Sequence, residues 1–573
     1  MLQILWIQRP TYRLFYTGYC YRPFKCAICK YFCLVPLLTR EAFVQCFAEA
    51  DREIAGLANR WGCPVLSLDS DFCVFDLVAG YCPLSHFQWQ SVCAGEEPQG
   101  CYVPARCFSA ERFCGQFRPL RKSLLPLFAA MNGNDYTGLA ALEAFFSGAR
   151  LAGRGGKHAR LQGLLSWLAR FEQPKEAVAS VLTYLKKHQR EEVRELLCAS
   201  MEDYTPSEVK LEDFFHKGRY ECEAARKADL PQWVLDALAK GKLAPFISDA
   251  LILRSTFLHV QVENMQRPSA HSTALPIRRV IYGLLLKVPQ NTEAASPSKQ
   301  TSELPVVCEF GRLQKALKKT FVQAASPPAD FCDGHVSLDK LMEMPMTCRQ
   351  MLLLETLGVK MSILESIPSH LQLPVAVTCY WIRCSEPKVT LHQLKALLLM
   401  VMELLFGIDP LTEHIAYNEF LKWKEKKLQN KDFDLDAAHS FCQWQCCLQM
   451  GLYLNQLLCT PLSEPDLSRI LFPLSRLYNG TLVHRLYQEL KSTPSVENLF
   501  SLSPKITQLY QALLNTVEST VSPDFFQKMT KTKSESCKKK KVSNKKKRAI
   551  RRAVPETRHL CNVNRFASLG VDD

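Results

Sequence analysis

Apolar residues recur at helical spacing along much of the chain, and the clearest short unit lies between residues 46 and 77, CFAEADREIAGLANRWGCPVLSLDSDFCVFDL. Ile54, Leu57, Ala58 and Trp61 fall at i, i+3, i+4 and i+7 and form the single stripe of a short helix. Asp51 suits the N-cap of that helix, and Gly62 suits the C′ position that closes it. The next run, Cys63-Pro64-Val65-Leu66-Ser67-Leu68, reads as a buried strand, with Asp69 and Asp71 just beyond its end. A strand period of two predicts that these two carboxylates point the same way. Phe72 to Phe75 begins another apolar run, Tyr81 to Trp89 is turn-rich, and Leu124 to Met131 predicts a short apolar helix.

Beyond residue 150 the pattern becomes helical. Leu164, Leu165, Trp167, Leu168 and Phe171 make one apolar face, Pro174 opens a longer helix through Leu197, and Trp233 to Leu253 is helical with a break at Pro245. Pro289, Pro297, Pro305, Pro327 and Pro328, set among Ser, Thr and Lys, give 287–335 the composition of a linker. Leu352 to Leu354, Leu394 to Phe406 and Phe441 to Leu458 then predict packed helices. The divisions are therefore an N-terminal remnant (1–45), an α/β core (46–150), a helical extension (151–286), a linker (287–335), a helical C-terminal domain (336–528) and a basic tail (529–573).

The chain has 573 residues, 47% of them hydrophobic, so several cores fit within it. Its net charge of +15 is concentrated: residues 531–552 hold twelve Lys or Arg against Glu535 alone and supply +11. The folded part is nearly balanced. Lys538, Lys539, Lys540, Lys541, Lys545, Lys546, Lys547 and Arg548 read as a nuclear import signal, with a nucleic-acid arm or a solubilising tail as alternatives. The tail holds too little apolar area to fold and is expected to be disordered. Twenty-five cysteines without a leading signal sequence predict a reducing compartment and buried thiols. No run reaches the length of a membrane span, and the densest, Ala396 to Ile408, contains Glu403. Cys20, Cys26, Cys29 and Cys33 are too crowded for the two separated pairs of a structural zinc site.

Two acidic doublets, Glu49/Asp51 and Asp69/Asp71, flank the first helix. Gathered carboxylates repel each other unless hydrated, protonated or holding cations, and an all-oxygen donor set suits Mg²⁺ or Mn²⁺. A pair of such ions can activate water and stabilise both oxygens of an in-line phosphoryl displacement. The plain alternative makes Asp51 a helix cap and Asp69/Asp71 a turn after a strand. A basic loop at 150–163 offers Arg150, Arg154, Lys157, His158 and Arg160 to phosphates, or simply to water. No HExxH, nucleophile elbow or phosphate-cradling glycine loop is present, and Gln443-Trp444-Gln445-Cys446-Cys447 reads as core.

EAD followed by LSLDSDFCVF resembles the internal region of the flap endonuclease/XPG nucleases, whose PIN-like fold gathers acids around two metals. Asn132-Gly133-Asn134-Asp135-Tyr136 resembles the Gly-x-Asp-Tyr that carries a further metal-ligand aspartate there. VQCFAEADREI, CPVLSLDSDFCVFDL, PFISDALILR, VENMQRPSAH, FCQWQCCLQMG and LNQLL resemble, in order, segments of the asteroid branch, from about Leu34 onward and most weakly between 288 and 345. The resemblance implies an α/β PIN-like nuclease core, N-terminally incomplete because the family's first strand and two further acids have no counterpart here. Mostly α-helical regions follow it. It implies a DNA endonuclease for single strands or 3′ overhangs in repair, with Glu49, Asp51, Asp69, Asp71 and Asp135 holding Mg²⁺ or Mn²⁺. Thr137 to Leu142 lacks the Gly-x-Gly turn with which flap endonucleases grip duplex DNA. The rival expectation is a catalytically inactive PIN-like scaffold or nucleic-acid-binding protein. Either way protein partners are expected at the helical C-terminal half, and a membrane is not.

Overall fold

The computed structural model describes, in the main, residues 43–47, 50–88, 104–132, 142–149, 158–208, 211–218, 229–259, 262–286, 304–325, 336–402, 433–464, 478–492 and 504–527, with a few short strands besides. Helices dominate, and the sheets are small. Strands β1 (Ile4–Trp6) and β3 (Phe43–Gln45) pair antiparallel. Strands β2 (Phe15–Thr17), β4 (Val65–Ser67) and β5 (Tyr81–Pro83) form a parallel sheet with β4 in the middle. Cys93–Ala94 and Cys101–Tyr102 make a short antiparallel ribbon, β6 and β7. The buried residues of β4 fit a central parallel strand, and Tyr81–Pro83 is strand where the sequence reads as turn.

Helix α1 (Ala50–Trp61) covers the parallel sheet. Ile54 and Leu57 are fully buried, each worth roughly 1.5–3 kcal/mol of apolar transfer. Gly62, at φ +58°, ends the helix in the left-handed region as anticipated. The helix begins at Ala50, so Asp51 lies in its first turn and is not its N-cap. There, with Glu53, it complements the positive end of the helix dipole. Residues 205–208 cross over α1: Ser207 N donates to Arg52 O at 2.8 Å and Arg52 Nε to Thr205 O at 2.9 Å. A Cβ on Gly56 would stand 2.2 Å from Ser207 O, so only glycine admits this crossing.

Helix α2 (Leu125–Asn132) bears out the short apolar helix, and α3 (Ala159–Leu168) replaces the end of the basic loop. The helix foreseen from Pro174 to Leu197 is two, α4 (Pro174–Thr183) and α5 (Arg190–Glu202), separated by a single 3₁₀ turn at Lys187–Gln189. Lys186, Lys187 and His188 are solvated there.

The main departure concerns residues 287–335. Within them β9 (Val306–Leu313) and β10 (Ala316–Gln323) form an antiparallel hairpin, and β9 pairs parallel with β8 (Ser255–Phe257). The prolines frame this hairpin: Pro305 precedes β9, and none interrupts the eighteen residues from Val306 to Gln323. Helix α6 (Leu275–Leu285) packs beneath it. Arg278 Nε and Nη2 donate to Glu309 Oε1 and Oε2 at 2.6 and 3.0 Å, and Tyr282 Oη donates to Glu309 Oε1 at 2.7 Å. Both members of that ion pair are buried. A linker would carry no such bond, so at least 304–325 is part of the fold.

The C-terminal half contains α7 (Met346–Leu357), α8 (Ser369–Cys384), α9 (Leu391–Met402), α10 (Leu435–Leu457), α11 (Gly480–Ser492) and α12 (Pro504–Thr520). Trp381 of α8 donates to Ser440 O, and Trp444 of α10 to Thr378 Oγ1, both at 3.0 Å and both fully buried. Trp444, Cys446 and Cys447 are core, as their spacing suggests. Cys379, Cys442, Cys446 and Cys447 are outside disulfides, whereas Cys348 is disulfide-bonded. This half docks directly on the segment before α6. Asp436 accepts from Asn264 Nδ2 and Arg267 Nε, both at 2.8 Å, and Tyr380 Oη donates to Thr273 O at 2.9 Å. Among the described residues no helix is long and apolar enough to cross a membrane.

Candidate functional site

Strand β4 ends at Ser67, and the chain then turns instead of running on extended. Ser67 Oγ accepts from Asp69 N at 3.0 Å, and Asp69 Oδ1 in turn accepts from Asp71 N at 3.1 Å. Asp69 thereby caps the 3₁₀ turn Ser70–Cys73, and Asp71 sits in its first turn. The two aspartates therefore do not share a face through strand alternation; a cap and a 3₁₀ turn set their positions. Below them Phe72 and Phe75 are buried, with ring centroids 5.7 Å apart, and tie the turn to the core.

These acids share their field with a residue far away in sequence. Tyr204, just after α5, is buried with its ring edge-on to Phe75 at 5.7 Å. Burial first, and then the charges of Asp71, Asp69, Asp203 and Asp51, push its phenol far above the ordinary tyrosine range. Four aspartates therefore act on one buried hydroxyl. The Cys73 thiol reports the same field: burial, then Asp71 and Asp69, push it up to about 12. Burial, with Asp69 and Asp71 among the lesser causes, also raises Tyr81. The crossing of α1 by 205–208 brings Asp203 and Tyr204 here. Met201-Glu202-Asp203-Tyr204 gives no local sign of that placement.

The charges of Asp51, Asp69 and Asp71 thus all act on Tyr204, together with that of Asp203. Glu49 and Asp135 lie outside the described residues. Among the described residues, no group of three or more His, Cys, Asp or Glu side chains closes on a point that could hold a metal. The donors themselves are carboxylate oxygens beyond the carboxyl end of a parallel strand, a chemistry and location suited to Mg²⁺ or Mn²⁺.

The basic cluster is only partly visible. Arg150, Arg154 and Lys157 lie outside the described residues. His158 precedes α3, and Arg160 lies in its first turn with its guanidinium 3.9 Å from the centroid of the Phe146 ring. That cation–π contact holds Arg160 against the protein. The import signal from Lys538 to Lys541 and from Lys545 to Arg548 also lies outside the described residues.

Comparison with known proteins covers most of the chain. A family model described as the asteroid N-terminal domain matches residues 408–531. The chain is 50% identical over 521 residues to the Mus musculus protein named single-strand DNA endonuclease ASTE1, covering 87% of this chain and 76% of that one. It is 46% identical over 560 residues to the Homo sapiens protein of the same name, covering 95% and 80%. The Danio rerio protein of that name is 33% identical, covering 87% and 71%. No solved structure matches. With identity this high across most of both chains, the protein belongs to the asteroid family.

Proposed function

We propose that this chain is a metal-dependent DNA endonuclease with a PIN-like core, cutting single-stranded DNA or 3′ overhangs during DNA repair in the nucleus. The observation that supports the reading is that Asp69 and Asp71 lie in the turn after β4 and that their charges, with those of Asp203 and Asp51, act on the buried Tyr204. Asp71, Asp69, Asp51, Glu49 and Asp135 are the residues that would hold Mg²⁺ or Mn²⁺. Such an ion, when bound, supplies a hydroxide from water and takes up charge on the phosphodiester. Asp69 has its carboxylate oriented by the bond from Asp71 N, and the buried Phe72 and Phe75 fix the turn that carries both acids. Tyr204 adds a phenol kept protonated by burial first and then by the charges of Asp71, Asp69, Asp203 and Asp51. The relatives' printed names support DNA as the substrate.

The test is Asp71→Asn. Removing one of several repelling charges raises the melting temperature of the metal-free protein, weakens Mn²⁺ or Mg²⁺ binding, and abolishes cleavage of a labelled single strand. A variant that destabilises the metal-free protein, with metal shifting neither form, makes the acids structural. One observation favours a second reading, a catalytically inactive scaffold: among the described residues no three-ligand cluster closes on a metal. Absence of Asp71-dependent cleavage in the presence of Mn²⁺ decides for that reading.

A further inference from the structure

Among the described residues the sheet β8–β9–β10 is covered on one face, and its other face is open along β10, while Cys308 and Arg312 of β9 are buried there and Arg312 is paired with Glu263. Toward α6, Thr256 and Val307 are fully buried, Thr256 Oγ1 lies 3.2 Å from Tyr282 Oη, and Glu309 is bound by Arg278. Strand alternation sends the next residues the opposite way. The register sets Phe257 beside Phe310, and Phe310 beside Lys319. The rings of Phe257 and Phe310 stack at 4.7 Å with only 10° between their planes. Lys319 Nζ lies 5.9 Å from the Phe310 centroid and 5.2 Å from that of Phe321. Phe321 is 71% exposed and Leu317 65%, far more than a core-facing strand allows. Lys315, in the hairpin turn, is exposed as well, whereas Lys318 pairs with Gly311 and belongs to the α6 side; no acidic residue occurs between Gly311 and Gln323.

Aromatic rings alone on a sheet face would suit an apolar protein segment. Lys319, with Lys315 at the turn and no intervening acid, calls for an anionic occupant. A single-stranded nucleic acid satisfies both conditions, since its unstacked bases cover aromatic rings while its phosphates meet cations. A duplex satisfies only the second, because its bases are already stacked on one another.

We propose that the open part of this face is a platform for single-stranded DNA, with bases stacking on Phe321 and on the Phe257–Phe310 pair and phosphates held by Lys315 and Lys319. The choice of DNA rests on the proposed endonuclease function, whereas the platform itself uses none of the acids.

The test uses the full chain in EDTA, which prevents metal-dependent cutting, and the anisotropy of a fluorescein-labelled oligothymidine beside a labelled duplex. Phe321→Ala weakens single-strand binding roughly 5- to 100-fold, and Phe321→Trp retains it. Phe321→Leu, which keeps apolar area without a π-face, loses as much as the alanine variant. Lys315→Gln and Lys319→Gln each lower the slope of log K against log salt by about 0.7. Phe321 is an exposed side chain, so the melting curve of each variant overlays that of the parent. Binding within about twofold of wild type in both the Ala and Leu variants overturns the proposal, since alanine at a stacking position costs far more. So does Phe321→Leu binding like wild type, which marks an apolar protein-docking face, and so does equal loss for single strand and duplex. Asp71-dependent cleavage in a chain indifferent to Phe321→Ala overturns the platform and keeps the endonuclease. Weakened binding by Phe321→Ala in a chain that never cleaves keeps the platform and overturns the endonuclease.

Discussion

Replacing Glu309 by Gln tests whether residues 306–323 are a structural element. The carboxylate is buried at the centre of β9 and accepts two bonds from Arg278 and one from Tyr282. Glutamine keeps the shape and one oxygen, but it removes the negative charge and points an amide donor at a guanidinium. Removing one member of a buried ion pair costs about 3–5 kcal/mol, because the remaining charge is left uncompensated in a poor solvent. Loss of the bond from Tyr282 would add about 1 kcal/mol. The expected change is therefore about 4–6 kcal/mol, read as a fall in the urea midpoint followed by the fluorescence of Trp381 and Trp444, both buried. Limited proteolysis supplies a second reading. The wild-type hairpin should resist cleavage between 306 and 323, and the variant should be cut there first. The double variant Arg278→Met with Glu309→Leu should recover much of the loss, since paired apolar replacement of a buried ion pair is often near neutral. A single-variant loss below about 1 kcal/mol, or rapid cleavage of the wild-type hairpin, would refute the argument.

Whether a feature was legible in the sequence depended on the range of the interaction that makes it. Helix α1 and strand β4 follow from a local stripe and a short apolar run, and Gly62 marks their junction. The helices of the C-terminal half follow from the same periodicity, and Trp444, Cys446 and Cys447 are the core that their spacing suggests. The hairpin was hidden because flanking prolines and polar residues dominate any composition window wider than the strands. Its register is anchored by Arg278 and by β8, outside that window. At the acidic site, Asp69 and Asp71 could be named from sequence, but their mutual placement depends on a cap that the strand pattern does not encode. Asp203 and Tyr204 reach α1 only through the crossing at Gly56, a close approach between segments about 150 residues apart. Single glycines inside helices carry no label saying which distant backbone they admit.

Two further predictions concern the basic tail and a contact between distant segments. A chain ending at Met529 should lose nuclear accumulation in a fluorescence assay while keeping its melting curve, and unchanged nuclear signal would refute the import role of Lys538 to Arg548. The other concerns the contact between the helical half and residues 264–267. Bonds from Arg267 first and Asn264 next hold the Asp436 carboxyl down to about 2. Its folded value lies below the unfolded value of about 3.9, so the carboxylate adds stability that is fully present above about pH 4 and is lost as the pH falls through 2. Because the Asp436 side chain is 53% exposed, solvent screening limits the pair to about 0.5–1 kcal/mol. Asp436→Asn should therefore lower stability by that amount at pH 7. The gap between variant and wild type should close between about pH 4 and pH 2, where the parent carboxylate takes up its proton. A gap that persists at pH 2, or that is absent at pH 7, would show that charge at Asp436 does not hold the two segments together.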